Sequence, residues 1–62
     1  MKKLKCTFSL SGEHFTKGCF YFADDDLQEV VGNDEDNRNP WMLEDLEVRT
    51  GLGVLGRFEE VA

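Results

Sequence analysis

The chain has 62 residues, with 13 Asp and Glu against seven Lys and Arg, and a formal net charge of −6. A chain of this length holds one domain and buries only roughly 60% of its unfolded surface, but five Phe, one Trp and one Tyr supply rings large enough for a core without staples. The acidic balance argues against a general nucleic-acid binder, whose affinity comes from Lys and Arg on phosphates, and suits a basic protein partner or simply keeps the chain in solution.

The stretch Lys3–Ser9 alternates, with Leu4, Cys6 and Phe8 on one side and Lys3, Lys5, Thr7 and Ser9 on the other. Period two predicts a half-buried strand. Lys2, Lys3 and Lys5 look like the basic start of a signal peptide, but no apolar stretch of about 7–15 residues follows. No membrane-length apolar run follows either. The expectation is a cytoplasmic protein with reduced thiols. If Cys6 and Cys19 fall on paired strands, a disulfide is within geometric reach.

Ser11-Gly12-Glu13 predicts a turn and Lys17-Gly18 a second break. Cys19–Ala23 is rich in strand-favouring aromatics, and Asp24-Asp25-Asp26 ends it with a polar turn. Leu27–Gly32 predicts a third strand, and residues 33–39 a polar loop. The next segment admits two readings. Asn39 could cap a helix with Pro40 at its first position, Leu43 and Leu46 helically spaced and Gly51 at the end. Alternatively Pro40–Leu43 is a short strand and Glu44–Glu47 a single helical turn, which is the preferred reading. Arg57–Val61 closes the chain as a strand anchored by Phe58 and Val61. The fold class expected is mainly β: a small five-stranded barrel or strongly bent antiparallel sheet, with room for one helical turn at residues 44–47.

Several of these residues form a wider pattern. Lys5-Cys6, Phe15-Thr16-Lys17-Gly18-x-x-Tyr21, the acidic turn Asp34–Asp36, Trp41 and the ending Gly56-Arg57-Phe58-Glu59-Glu60-Val61 together resemble a loose group of small phage and prophage proteins with an SH3-like barrel. The resemblance covers most of the chain, and its motifs mark fold positions rather than chemistry. It implies a single SH3-like domain over residues 1–62. It also implies a phage accessory protein in a bacterial host cell, many of which bind and modulate a host protein. The chain departs from the pattern at Cys19, where Lys is preferred, and at residues 33–37, which lack the turn glycine. The Gly51–Gly56 insert is also unusual.

Candidate sites are few. Gly51-Leu52-Gly53-Val54-Leu55-Gly56 matches the dinucleotide-binding Gly-x-Gly-x-x-Gly spacing. That motif needs a following helix to meet a pyrophosphate, and too little chain remains. Here it predicts a loop whose Leu52, Val54 and Leu55 either cover the core or form a binding tip. Phe20 and Phe22 share one strand face, opposite Cys19, Tyr21 and Ala23, with Tyr21 the expected core member. The two Phe are then either covered by that loop or exposed as an interaction surface.

The acidic groups Asp24–Asp26, Asp34–Asp36, Glu44/Asp45/Glu47 and Glu59/Glu60 lack EF-hand spacing. They are solvated turns or, in the sharper reading, an acidic surface that mimics nucleic acid to occupy a basic host protein. His14, Cys6 and Cys19 fall one ligand short of a structural zinc site and include no Cys-x-x-Cys pair. Cys19 and His14 as nucleophile and base lack an orienting acid and an oxyanion hole. Trp41 is a core anchor or, at the surface, a grip for Pro-rich ligands.

The expectation is therefore a non-enzymatic interaction module without catalytic, cofactor or metal residues. Its candidate partner-binding residues are Phe20, Phe22, Asp24, Asp25, Asp26, Leu52, Val54 and Leu55. The expected partner is a basic host protein, with self-association through the same apolar face as a variant and no membrane. The alternative is a small barrel that stacks single-stranded nucleic acid on its aromatics. That function needs a basic groove, towards which the sequence offers Lys2, Lys3, Lys5 and Lys17.

Overall fold

A computed structural model describes residues 1–33 and 40–61. The expected acidic turn at 34–36 and the cap at Asn39 lie outside the described residues. The described chain contains strands and turns and no helix: β1 (Lys2–Ser9), β2 (Phe20–Ala23), β3 (Glu29–Val30), β4 (Trp41–Met42), β5 (Glu47–Thr50) and β6 (Gly53–Glu60). They make one antiparallel sheet of six strands in the order β4-β3-β2-β1-β6-β5. The two outermost strands are consecutive in the chain and meet through a Glu44–Glu47 bridge, so the sheet curls into a nearly closed barrel.

The mainly β barrel is as expected, with six strands rather than five. The additional strand, β5, pairs with β6 over Glu47–Thr50, and Gly51 and Leu52 form the connecting turn. The Gly51–Gly56 segment is thus a hairpin tip and the start of a strand, not a loop. Gly53 follows the turn at φ 118°, a conformation open to glycine at little cost.

Residues 44–47 do not form a helical turn. Glu44 and Glu47 exchange both backbone hydrogen bonds, at 2.8 and 2.9 Å. Asp45 and Leu46 between them sit at φ 52° and 62°. Two consecutive left-handed residues make the type I′ turn, whose twist matches that of flanking strands. Neither is the Asn or Gly that usually signals such a turn. Leu46 tolerates the conformation because its side chain packs against the core.

Two β-bulges correct the simple alternation. Cys6 faces Phe58 and Phe8 faces Arg57, so Thr7 is an extra residue on β1. A bulge reverses the sides that follow it. Leu4 and Cys6 are therefore buried, while Phe8 turns outward at 40% exposure, with the Arg57 guanidinium 5.7 Å from its ring centroid. On β6 the extra residue is Leu55, between the Val48–Gly56 and Arg49–Val54 pairs, and Leu55 turns into the core.

Phe15 lies in the β1–β2 connection, outside any strand, yet it is fully buried. Its ring meets Tyr21 and Phe58 edge-on at 5.3 and 5.1 Å and Trp41 at 6.0 Å. Polar contacts hold the connection in place. The Tyr21 hydroxyl accepts the Thr16 N–H at 2.6 Å and donates to Asn33 Oδ1 at 2.7 Å. The Asn33 side-chain amide donates to Thr16 Oγ1 at 3.1 Å, and the Asn33 backbone N–H donates to the His14 carbonyl at 2.7 Å.

This approach requires glycine at position 32, because a Cβ there would stand 2.8 Å from the His14 carbonyl oxygen. Gly32→Ala is expected to cost about 1–3 kcal/mol, the range for overpacking a filled site, whereas Gly12→Ala, with open space around it, should be tolerated. Urea unfolding of the two variants checks this, and equal stabilities would contradict the close approach.

Candidate binding face

Strand β2 begins from a tight turn. The Cys19 N–H donates to the Thr16 carbonyl at 3.0 Å with Gly18 at φ 91°, the geometry of a type II turn with glycine at its third position. The Gly18 N–H donates to the Cys6 carbonyl and the Cys6 N–H to the Cys19 carbonyl, at 2.8 and 2.9 Å. Gly18 and Cys19 together therefore oppose Cys6, which is a glycine bulge. Cys19 is exposed rather than inward with Tyr21 and Ala23. Cys6 stays buried, its Sγ 3.1 Å from the Phe8 carbonyl, and burial pushes its thiol pKa up. Both thiols are free.

Beyond the bulge β2 alternates. Tyr21 and Ala23 are buried, whereas Phe20 and Phe22 are 50% and 51% exposed on the outer face. The Gly51–Gly56 segment does not cover them, because β1 and β6 separate β2 from β5 in the sheet. Phe20 and Phe22 line an open concavity of about 490 Å³ with Met1, Val31, Gly32 and Asn33. Strand β1 supplies the neighbouring wall: Lys5 lies opposite Phe20 and Lys3 opposite Phe22. The Lys3 ammonium stands 4.5 Å from the Phe20 ring centroid, a cation–π contact worth about 0.5–1 kcal/mol where exposed.

The acidic residues at the other end of β2 have separate tasks. Asp24 Oδ1 accepts the Gln28 and Glu29 N–H groups at 2.7 and 3.0 Å and so holds the β2–β3 turn, in which Leu27 adopts φ 56°. The exposed Asp25 lies 2.8 Å from the Met1 amino group, and that hydrogen bond lowers its carboxyl pKa. Asp26 is exposed. Just past β3, the Val31 N–H donates to the Phe22 carbonyl at 3.3 Å, and Glu29 on β3 faces solvent.

The rest of the expected set lies elsewhere. Leu52 is 91% exposed at the β5–β6 tip, Val54 is half-buried, and Leu55 is a core residue that cannot serve a surface. The sequence reading grouped Phe20, Phe22 and Asp24–Asp26, which lie along one strand and the turn after it, but joined them to a hairpin tip on another part of the barrel. It left out Met1, Val31, Gly32, Asn33, Lys3 and Lys5. Alternation along β1 already turned Lys3 and Lys5 outward; what was missing was the register that sets them beside the two Phe.

His14 packs on Trp41, with ring centroids 4.8 Å apart. Among the described residues no three His, Cys, Asp or Glu side chains converge as metal ligands. Comparison with protein-family models, with curated proteins and with solved structures returns no match.

On β5, Glu47 accepts from Arg49 at 2.7 and 3.0 Å and from Arg57 at 2.8 Å. The Arg49 hydrogen bond first, with Arg57 adding to it, lowers the Glu47 pKa below its usual 4.5. A lowered folded pKa means that this carboxylate contributes stability above the unfolded value and loses it as pH falls through the folded value. NMR titration should therefore show Glu47 protonating below the usual glutamate range. Glu47→Gln should remove part of the loss of stability on acidification.

Proposed function

We propose that this chain is a non-enzymatic binding module whose partner is a protein, engaged by the outer face of β1 and β2. The observation that carries this reading is the pair Phe20 and Phe22, each half exposed beside an open concavity. Ten buried residues fill the barrel without them, so the pair is surplus to the fold. In a chain this short, exposing aromatic surface costs solubility, and a partner that covers it removes that cost. The net charge of −6 favours a partner with a basic surface, since opposite fields steer encounter and suppress wrong partners. The resemblance to small phage accessory proteins supports a host protein as that partner.

The non-enzymatic character rests on how the reactive side chains are used. His14 packs at a tilt against Trp41, and the Cys6 thiol is buried. Among the described residues the acidic clusters serve turns and surface ion pairs.

One observation favours a second reading. Lys3 and Lys5 lie directly beside Phe20 and Phe22, and aromatic rings flanked by cations form stacking platforms for single-stranded nucleic acid. Against it, Lys5 is also opposite Glu59 across β6, and Lys2 is 4.0 Å from Glu60, so carboxylates border the same row.

The protein is expected to retain a salt-sensitive protein partner from bacterial lysate, and Phe22→Ser to release it while leaving the fold intact by circular dichroism. Retention unaffected by Phe22→Ser would refute the assignment of this face. A fluorescent single-stranded oligonucleotide is expected not to bind at micromolar protein in low salt; binding there would reverse the ranking of the two readings.

A further inference from the structure

Strand β2 is paired with β1 along its whole length but with β3 over only part of it. The backbone groups of successive strand residues point to opposite edges. The Cys19 carbonyl accepts from the Cys6 N–H, and in the same register Tyr21 lies opposite Leu4 and Ala23 opposite Lys2. The N–H and C=O groups of Tyr21 and Ala23 therefore point to β1. Those of Phe20, Phe22 and Asp24 point to the other edge, which β3 approaches. At one end of that edge the ladder forms. The Asp24 N–H donates to the Glu29 carbonyl at 3.2 Å, and the Val31 N–H donates to the Phe22 carbonyl at 3.3 Å.

The ladder then stops. The next N–H in register belongs to Asn33 and, in a continued ladder, meets the Phe20 carbonyl. Here it donates instead to the His14 carbonyl at 2.7 Å, the close approach that Gly32 permits. The segment that would extend β3 is thus drawn away from β2 to hold the Phe15 connection. Among the described residues, the Phe20 N–H and C=O and the Phe22 N–H have no hydrogen-bond partner. The concavity of about 490 Å³ opens at this place, between Phe20–Phe22 on one side and Val31, Gly32 and Asn33 on the other.

Unpaired backbone groups in strand geometry specify what fills such a gap, because an extended chain presents its own N–H and C=O groups at the matching spacing. We infer that this edge of β2 takes an extended segment of a partner protein as an added strand. The segment supplies a carbonyl to the Phe20 N–H and an N–H to the Phe20 carbonyl. It sets one side chain beside the Phe20 ring on the outer face, where a β-branched or aromatic residue packs best. The inference rests on the reading of this face as a protein-binding surface and names the conformation of what binds there.

Amide hydrogen exchange of the full chain, followed by NMR, tests it. In the free protein the Phe20 and Phe22 amides are expected to exchange at least about tenfold faster than those of Tyr21 and Ala23, which bond to β1. The probe is the capped peptide acetyl-Lys-Thr-Val-Thr-Val-Thr-Lys-amide, added up to about 1 mM. It is expected to slow exchange at Phe20 at least about tenfold and to shift the Phe20 amide resonance. The same peptide N-methylated at every Thr and Val keeps its side chains but has no N–H to donate there, and should bind at least about tenfold more weakly.

A Phe20 amide as protected as that of Tyr21 in the free protein overturns the inference, since the edge is then already paired. A peptide that leaves Phe20 exchange unchanged at about 1 mM also overturns it. So does an N-methylated peptide that binds equally well, because the contact is then made by side chains alone. If the protein retains a lysate partner through Phe22 while the peptide leaves Phe20 unprotected, strand addition falls and the binding-module reading stands. Protection of Phe20 by the peptide in a protein that retains no lysate partner supports the open edge and removes the host-protein partner.

Discussion

The structure depends on how Phe15 is held in the barrel. The residue belongs to a connection rather than a strand, yet its ring contacts Tyr21, Phe58 and Trp41 from three elements. Nothing in the connection's own backbone pairing places it there. It is placed by the Tyr21 hydroxyl and the Asn33 side chain and backbone, which bond His14 and Thr16, and by the Ser9 hydroxyl, which donates to the Phe15 carbonyl at 2.6 Å. Several such bonds converging on one connection specify a single arrangement for it. Gly32 is the residue that lets the two chain segments come close enough for these bonds to form.

That arrangement also explains why the candidate face lies where it does. Once Phe15 fills the centre, β2 needs only Tyr21 and Ala23 inside. Phe20 and Phe22 are left on the outer surface, where an ordinary strand would carry polar residues. The glycine bulge at Gly18 fixes which side each β2 residue takes, and the hydrogen bonds to Cys6 set the register that brings Lys3 and Lys5 beside the rings. The core and the binding face are thus two consequences of one packing choice.

The class of fold was legible because period-two alternation in residues 3–6 and 20–23 survives into the structure. What the sequence concealed was irregularity. The extra residue at Thr7 turned Phe8 outward, and the one at Leu55 turned Leu55 inward. Bulges leave no compositional signal at these two sites. The type I′ turn at Asp45-Leu46 carried neither Asn nor Gly, so residues 44–47 read as a single helical turn. Strand β5 was hidden because Glu47, Arg49 and Thr50 are polar and only Val48 points inward. For the candidate face, the aromatic pair could be read directly, but its neighbours could not: which strand lies beside β2 is a matter of topology rather than of local pattern.

The strand order also bears on how the chain is made. The two longest strands, β1 and β6, are joined along the middle of the sheet although they come from opposite ends of the described sequence. During synthesis β1 emerges first and its partner last. Until then β1 has only β2 beside it, and Leu4, Cys6 and Phe15 lack the cover that Leu55 and Phe58 later give. Loop closure across nearly the whole chain must precede that contact, which makes it a slow step in folding. Until β6 closes on it, that side of β1 is an unpaired sheet edge, the kind of surface on which another strand can add.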